Sequence, residues 1–139
     1  MYKYNFICDI GNTDTKIFFY RNYKIIKSIR LKTKEINQTF LKKKLYAFKK
    51  YNKFLTFVLI SSVVPKVFKY FKMYFKKNNV KCLELKSVNL KKIINIKVNY
   101  NQVGSDRIAN AISIMDNKNN YIVVDFGTAT NFDVIVKNS

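Results

Sequence analysis

Only three glycines occur in this chain, Gly11, Gly104 and Gly127, and each stands two positions from an aspartate: Asp9-Ile-Gly11, Gly104-Ser-Asp106 and Asp125-Phe-Gly127. Glycine reaches positive φ without strain and lets a ligand approach the backbone, while a neighbouring carboxylate can hold a cation or orient a hydroxyl. The combination suits a phosphate and metal site. Two of the triplets continue alike, as Asp9-Ile-Gly-Asn-Thr13 and Asp125-Phe-Gly-Thr-Ala-Thr130, which reads as one device used twice. A strand ending in Asp-x-Gly-x-Thr puts a carboxylate at the strand end and then turns sharply, aiming backbone N–H groups and a threonine hydroxyl at one point. In the first copy Asp9 is the candidate for a hydrated magnesium ion, Gly11, Asn12 and Thr13 for terminal phosphates, and Lys16 for an added point charge. Alone this is equally an ordinary hairpin turn, because Asn and Asp beside Gly are common turn residues. The second copy shifts the balance, since two such hairpins facing one another can clamp a nucleoside triphosphate. Aspartates beside phosphates repel strongly in a low-dielectric cleft, so the arrangement calls for magnesium and a monovalent cation.

The third motif, Gly104-Ser-Asp106-Arg107, stands where a helix begins, and unpaired N–H groups there favour an anion. Arg107 could take a carboxylate through a bidentate pair, and Asp106 could accept a proton from a hydroxyl that attacks a γ-phosphate. The plain alternative is a helix-start acid beside a surface arginine. It loses weight in a chain whose other arginines are only Arg21 and Arg30. Histidine is absent, so acid and base chemistry falls to carboxylates, lysines and tyrosines. Cys8 and Cys82 have no paired spacing, which argues against zinc and against a disulfide framework.

These residues need elements to hold them. Tyr4 to Asp9 and Thr15 to Tyr20 are short runs rich in β-branched and aromatic residues around the turn formers Gly11 to Asp14, a hairpin with the first motif at its tip. Tyr23 to Leu31 makes a third strand. Thr33 can cap a helix whose apolar positions are Ile36, Phe40, Leu41, Leu45 and Phe48. Phe54 to Ile60 suits a parallel strand covered on both faces by helices. A helix from about Pro65 to Lys77 buries Val64, Val67, Phe68, Phe71 and Phe75, with Lys66, Lys69, Lys72 and Lys76 off that stripe. Such a basic amphipathic helix more often packs on a sheet than lies on a membrane. Val80 to Leu85 is a further strand, and Gly104 opens a helix that turns Ile108, Ala111, Ile112 and Met115 inward. After a loop at Asn117 to Asn120, Tyr121 to Asp125 and Asn131 to Val136 form a second hairpin around the last glycine motif. The class is α/β, and a new domain starts near Tyr121 with only its opening hairpin.

Composition sets limits. In 139 residues, 48% are hydrophobic and 16% aromatic, enough for a core. The formal net charge of +19 would ordinarily point to nucleic acid or an anionic membrane. Nearly all of it is lysine, among abundant Asn, Ile, Tyr and Phe, and a residue bias spread over a solvated surface explains it better than a dedicated polyanion site. Arginine would be expected where a planar fork grips phosphate. The longest apolar stretch, Phe54 to Val64, is too short to span a bilayer, and no signal-peptide pattern precedes Asp9, so a cytoplasmic protein without stable membrane association is expected.

Four segments together resemble type III pantothenate kinases, members of the acetate and sugar kinase, Hsp70 and actin superfamily: Asp9-Ile-Gly-Asn-Thr-Asp-Thr-Lys16, Ile60-Ser-Ser-Val-Val-Pro65, Val103-Gly-Ser-Asp-Arg-Ile-Ala-Asn-Ala111 and Val124-Asp-Phe-Gly-Thr-Ala-Thr-Asn-Phe-Asp133. They stand in the family's order and span essentially the whole chain. The resemblance implies an actin-like ATPase (ribonuclease H-like) fold, a mixed sheet flanked by helices over residues 1–118, with 119–139 opening an incomplete second domain of the same type. It implies ATP-dependent phosphorylation of pantothenate to 4'-phosphopantothenate, the first step of coenzyme A biosynthesis, with magnesium and a monovalent cation such as potassium or ammonium, in a cytoplasmic homodimer. It carries Asp9, Ile10, Gly11, Asn12, Thr13, Asp14, Thr15 and Lys16 over as the first ATP phosphate segment and Thr128 as an ATP contact. Gly104, Ser105, Asp106 and Arg107 become the pantothenate segment with Asp106 as proton acceptor, and Asp125 the monovalent-cation ligand. Tyr100 matches a substrate-contacting tyrosine, on a connection shorter than the family's and without its usual proline. Family members continue well beyond the second hairpin. A shortened or split reading frame, a half that assembles with a separate partner, and a degenerate remnant are the three explanations. The rival from another class is a non-catalytic relative, regulatory or nucleic-acid-binding through its basic surface.

Overall fold

Alternation along the first strands builds the core. The structure is a computed structural model that describes residues 4–55, 57–116, 118–127 and 129–137. In β1 (Tyr4–Ile10) Phe6, Cys8 and Ile10 are buried while Ile7 and Asp9 face the other way, and in β2 (Asp14–Arg21) the buried set is Thr15, Ile17 and Phe19. Successive side chains of a strand point to opposite faces, so this period of two separates a core face from an open one. The two strands pair antiparallel, with Ile10 opposite Thr15 and Tyr4 opposite Arg21. β3 (Lys24–Lys32) returns antiparallel to β2 after a tight turn in which Asn22 and Tyr23 take φ of 48° and 65°. Tyr23, expected inside this strand, is therefore part of the turn.

β4 (Phe57–Ser62) runs parallel to β1, and β5 (Lys81–Glu84) parallel to β4. The five-stranded sheet has the order β3-β2-β1-β4-β5. This mixed sheet flanked by helices agrees with the actin-like α/β architecture expected from the sequence.

The helices lie on the Phe6, Cys8 and Ile10 face. α1 (Gln38–Leu45) buries Leu41 and Leu45, and is followed by a 3-10 segment, Tyr46–Phe54, that buries Phe48. Its cap is Asn37, whose side chain accepts the N–H of Phe40 at 2.9 Å. Thr33, expected as the cap, sits in a 3-10 turn (Thr33–Glu35), is buried, and spends its hydroxyl elsewhere. α2 (Pro65–Lys77) has the expected bounds: proline is tolerated in a first helical turn, where its missing N–H would have no partner. It buries Val67, Phe71 and Phe75 as expected and also Tyr74, whose hydroxyl donates to the carbonyl of Leu45 at 3.2 Å. Phe75 meets Phe6 edge-on with ring centroids 4.9 Å apart. A buried side chain of this size contributes about 1.5–3 kcal/mol. The opposite face of the sheet is not covered in this way: Ile7 and Phe57 are exposed there. The expectation that helices sandwich β4 fails for that reason.

The chain divides into two compact units between Val88 and Asn89. In the second unit α3 (Ser105–Ile114) starts at Gly104 and buries Ile108 and Ala111. β6 (Tyr121–Phe126) and β7 (Thr130–Ile135) form a separate antiparallel hairpin with Tyr121 opposite Ile135. Because α3 packs on both strands, helix and hairpin group together, and this contact boundary lies ahead of the 118/119 junction read from the sequence. The outer face of the hairpin, Ile122, Val124, Phe126, Phe132 and Val134, is exposed. No helix among the described residues is long and apolar enough to cross a membrane.

Candidate active site

The first glycine turn closes the β1–β2 hairpin. The N–H of Gly11 donates to the carbonyl of Asp14 at 3.0 Å, and a Cβ at position 11 would stand 3.1 Å from that same oxygen. All three glycines have negative φ, so the left-handed freedom expected of them is not used. At Gly11 the requirement is close backbone approach.

The turn is braced from beneath. Buried Thr33 donates its hydroxyl to the Gly11 carbonyl at 2.8 Å, lies 3.0 Å from the Thr15 hydroxyl, and gives its N–H to the Thr13 carbonyl at 2.9 Å. Thr15 is itself fully buried and Ile10 belongs to the core. Neither offers a side chain at the surface, and their place in the phosphate segment is structural support for Gly11, Asn12 and Thr13. Asn12 and Thr13 are exposed.

Asp9 stands on the open face, half-buried, directly opposite Lys16 on β2 and Ser61 on β4. The Ser61 hydroxyl donates to Asp9 Oδ1 at 3.3 Å. A carboxylate, a hydroxyl and an ammonium thus line up across three strands beside the turn. Of these, only the Asp9 carboxylate and the Ser61 hydroxyl are oxygen donors a hard cation could use, and among the described residues no three potential ligands cluster into a metal cage. It fits magnesium held through water and substrate oxygens, the way that ion is usually bound.

Asp14 has a different job. Its carboxylate pairs with Arg30 Nη2 at 2.5 Å and Lys32 Nζ at 3.0 Å on neighbouring β3, and hydrogen bonds from Arg30 first and Lys32 second hold it below the usual carboxylate range. Asp14 therefore ties β2 to β3 at the base of the turn. Burial pushes the Cys8 thiol well up, so despite adjacency to Asp9 it is no nucleophile.

In the second unit the first turn of α3 carries the other motif. Asp106 Oδ1 accepts the N–H of Arg107 at 2.8 Å, an acidic group at a helix start as the macrodipole favours. Ser105 is buried at 1% exposure, whereas Asp106, Arg107 and Tyr100, the last in a turn, are all half-buried. Arg107 is already engaged: Nε donates to Asp133 Oδ1 and Oδ2 at 2.8 and 3.1 Å, and Nη2 joins the same carboxylate. The Asp133 carboxylate raises the Arg107 guanidinium above its ordinary value. Asp125 lies two pleats away on the same face of the hairpin, half-buried opposite Asn131, oxygen donors of the kind a monovalent cation takes. Beside it the Gly127 N–H donates to the Ala129 carbonyl at 3.2 Å. Thr128 lies outside the described residues.

Three participants escaped the sequence reading. Ser61 and Asp133 stood inside quoted motifs without a role, because their partners lie 52 and 26 positions away and are joined only by strand register and helix packing. Thr33 fits a helix cap by sequence, and its position between a strand end and a helix is the available signal for a residue that turns back on the hairpin.

Comparison with known proteins gives the family. A family model described as type III pantothenate kinase matches residues 5–139. A type III pantothenate kinase of Pelagibacter ubique is 54% identical over 133 residues, covering 94% of this chain and 54% of the relative. Proteins of the same name from Thermosipho melanesiensis and a Sulfurihydrogenibium species are 36% and 37% identical, again over 94% of this chain and 53% and 55% of theirs. The chain spans about half the length of the curated relatives it matches. With a model match over nearly all of its length, the chain belongs to the type III pantothenate kinase family.

Proposed function

We propose that this chain carries the phosphate-binding and substrate-binding motifs of an ATP-dependent pantothenate kinase. The observation that supports it most is the braced Gly11 turn with Asp9, Lys16 and Ser61 aligned beside it on the open face of the sheet. In this reading Gly11, Asn12 and Thr13 bind phosphate oxygens through the turn, and Lys16 neutralises charge there. Asp9 would hold magnesium through water and Asp125 a potassium or ammonium ion. These cations supply charge neutralisation on the phosphates.

Arg107 receives the pantothenate carboxylate. Asp106 then accepts the proton of the substrate hydroxyl as that oxygen bonds to the γ-phosphorus and the bond to the ADP oxygen breaks. Asp106 Oδ1 is held by the Arg107 N–H, which leaves Oδ2 for the hydroxyl. Phosphoryl transfer has a loose transition state in which positioning and electrostatics outweigh strong base catalysis, so no histidine is needed. Assembly as a homodimer or with further chain, opening of a second actin-like domain at 119–139, and a cytoplasmic location belong to the same proposal. The exposed outer face of the β6–β7 hairpin supports the need for further chain.

The test is ATP-dependent phosphorylation of pantothenate by the purified chain with magnesium and potassium. Asp106→Asn is expected to lower turnover by about 10²–10⁴-fold, the usual contribution of a positioned proton acceptor. Product formation insensitive to that substitution would overturn the assignment of Asp106.

A further inference from the structure

The proposed kinase site assigns Arg107 a substrate carboxylate, yet the guanidinium is already paired with a carboxylate of its own chain. The geometry of that pair decides what it means. Arginine carries five N–H donors in a planar fork, and the two edges of the fork are distinct. Asp133 occupies the Nε and Nη2 edge, with Nε at 2.8 and 3.1 Å from its two oxygens. The Nη1 donors and the second hydrogen of Nη2 form the other edge, which can take a second carboxylate bidentately without disturbing the first.

The pair is also built to be rigid. Asp133 sits within β7, in register with Val123 of β6, so its backbone is held by the hairpin ladder. Its side chain is 16% exposed against 33% for Arg107, which places the acid beneath and the guanidinium nearer to solvent. Arg107 in turn lies in the first helical turn of α3, the helix that packs on that hairpin face. An exposed arginine would lose several rotatable bonds of freedom on gripping a ligand. One clamped along its inner edge has lost them in advance, and pre-organisation of this kind turns into affinity.

We propose that Asp133 is the positioning residue of the substrate-binding arginine: it locks Arg107 through the Nε edge and presents the Nη1 edge to the pantothenate carboxylate. The inference rests on the kinase reading of the site. It assigns a role to the last residue of the Asp125-to-Asp133 segment, through the arginine and without contact to substrate.

The test exploits the scarcity of arginine, since Arg21, Arg30 and Arg107 give only three Nε–H resonances to assign. In the ¹⁵N-labelled chain the Arg107 Nε–H signal is expected to be protected and to persist when pantothenate is added. Its collapse on addition would mean that the substrate displaces Asp133, and would overturn the inference with no variant needed. By calorimetry, Asp133→Asn is expected to raise the Kd for pantothenate about ten- to a hundredfold, the scale on which small misplacements are felt. The alcohol analogue of pantothenate, with CH2OH in place of the carboxylate, should bind both proteins alike, and Asp133→Glu should recover part of the loss. A merely structural role would weaken both ligands equally, and an unchanged or lower Kd for pantothenate in Asp133→Asn would also overturn the proposal. If the wild-type chain fails to prefer pantothenate over the alcohol, Arg107 is not the carboxylate receptor, and the kinase reading of this segment falls with the inference.

Discussion

The two Asp-x-Gly hairpins share a local sequence and differ in everything around it. β1–β2 is continued by β3 on one side and β4–β5 on the other, its inner face is closed by α1 and α2, and its turn is bolted down by Thr33. β6–β7 is a two-stranded sheet with α3 on one face and Phe126, at 83% exposure, among the apolar residues of the other. An isolated hairpin is marginal in water, whereas three or more strands packed on helices hold themselves. The lesson is that a short turn sequence is held in place by distant residues, and among the described residues only the first of the two copies shows such a brace.

Substitutions can break this contrast. The largest effect is expected at Phe71, fully buried under the first sheet: Phe71→Ala should cost about 3–5 kcal/mol, read from the denaturant midpoint of the purified chain. Thr33→Val keeps the shape and removes the donor to the Gly11 carbonyl. It should cost about 1–3 kcal/mol by leaving buried polar groups unmatched, and weaken nucleotide affinity beyond that loss. An unchanged ATP affinity in a folded Thr33→Val protein would show that the brace does not shape the turn. Phe126→Ser, on the outer face of the second hairpin, should shift stability by no more than about 0.5 kcal/mol, because that ring is exposed. The same change should reduce self-association in sedimentation, since it shortens an exposed apolar strand face.

The smallest effect concerns acid. Asp14 is held below its ordinary value by Arg30 and Lys32, so its folded form binds protons less readily than the unfolded chain. The resulting stability is present above the unfolded carboxylate range near pH ~4 and is lost as pH falls through the lower folded value. Asp14→Asn should therefore flatten the acid limb of the stability curve below that pH and leave the neutral region nearly parallel. The pair is on the surface, and added salt should mute the difference.

Much of this was legible beforehand because it is local. The first hairpin, the parallel strand expected at Phe54 to Ile60 and found at Phe57–Ser62, with Phe54 left in the 3-10 segment, and the bounds of α2 follow from strand alternation, an apolar run, a proline start and a 3.6-residue stripe. Asp9, Lys16, Asp106 and Arg107 stand out as candidates in the same local way, as short spacings with a chemical meaning. What escaped is non-local or competitive. Both Thr33 and Asn37 are good cap residues; Asn37 takes the cap, while the Thr33 hydroxyl is engaged with Gly11 and Thr15. The spacing of Phe48 fits a continuing helix, yet the chain tightens into a 3-10 segment after Leu45. Helices on both faces of β4 were expected from its apolar run, and the open face instead carries Asp9, Lys16 and Ser61.

The most direct measurement is a titration of the ¹⁵N-labelled chain with magnesium and ATP, following backbone amides. Shifts should centre on Gly11, Asn12, Thr13 and Lys16 and disappear in Asp9→Asn while the fold persists. Shifts confined to the lysines of α2, with residues 11–16 unmoved, would contradict the claim that the braced first turn is a phosphate site and would favour a basic surface that binds polyanions without selectivity.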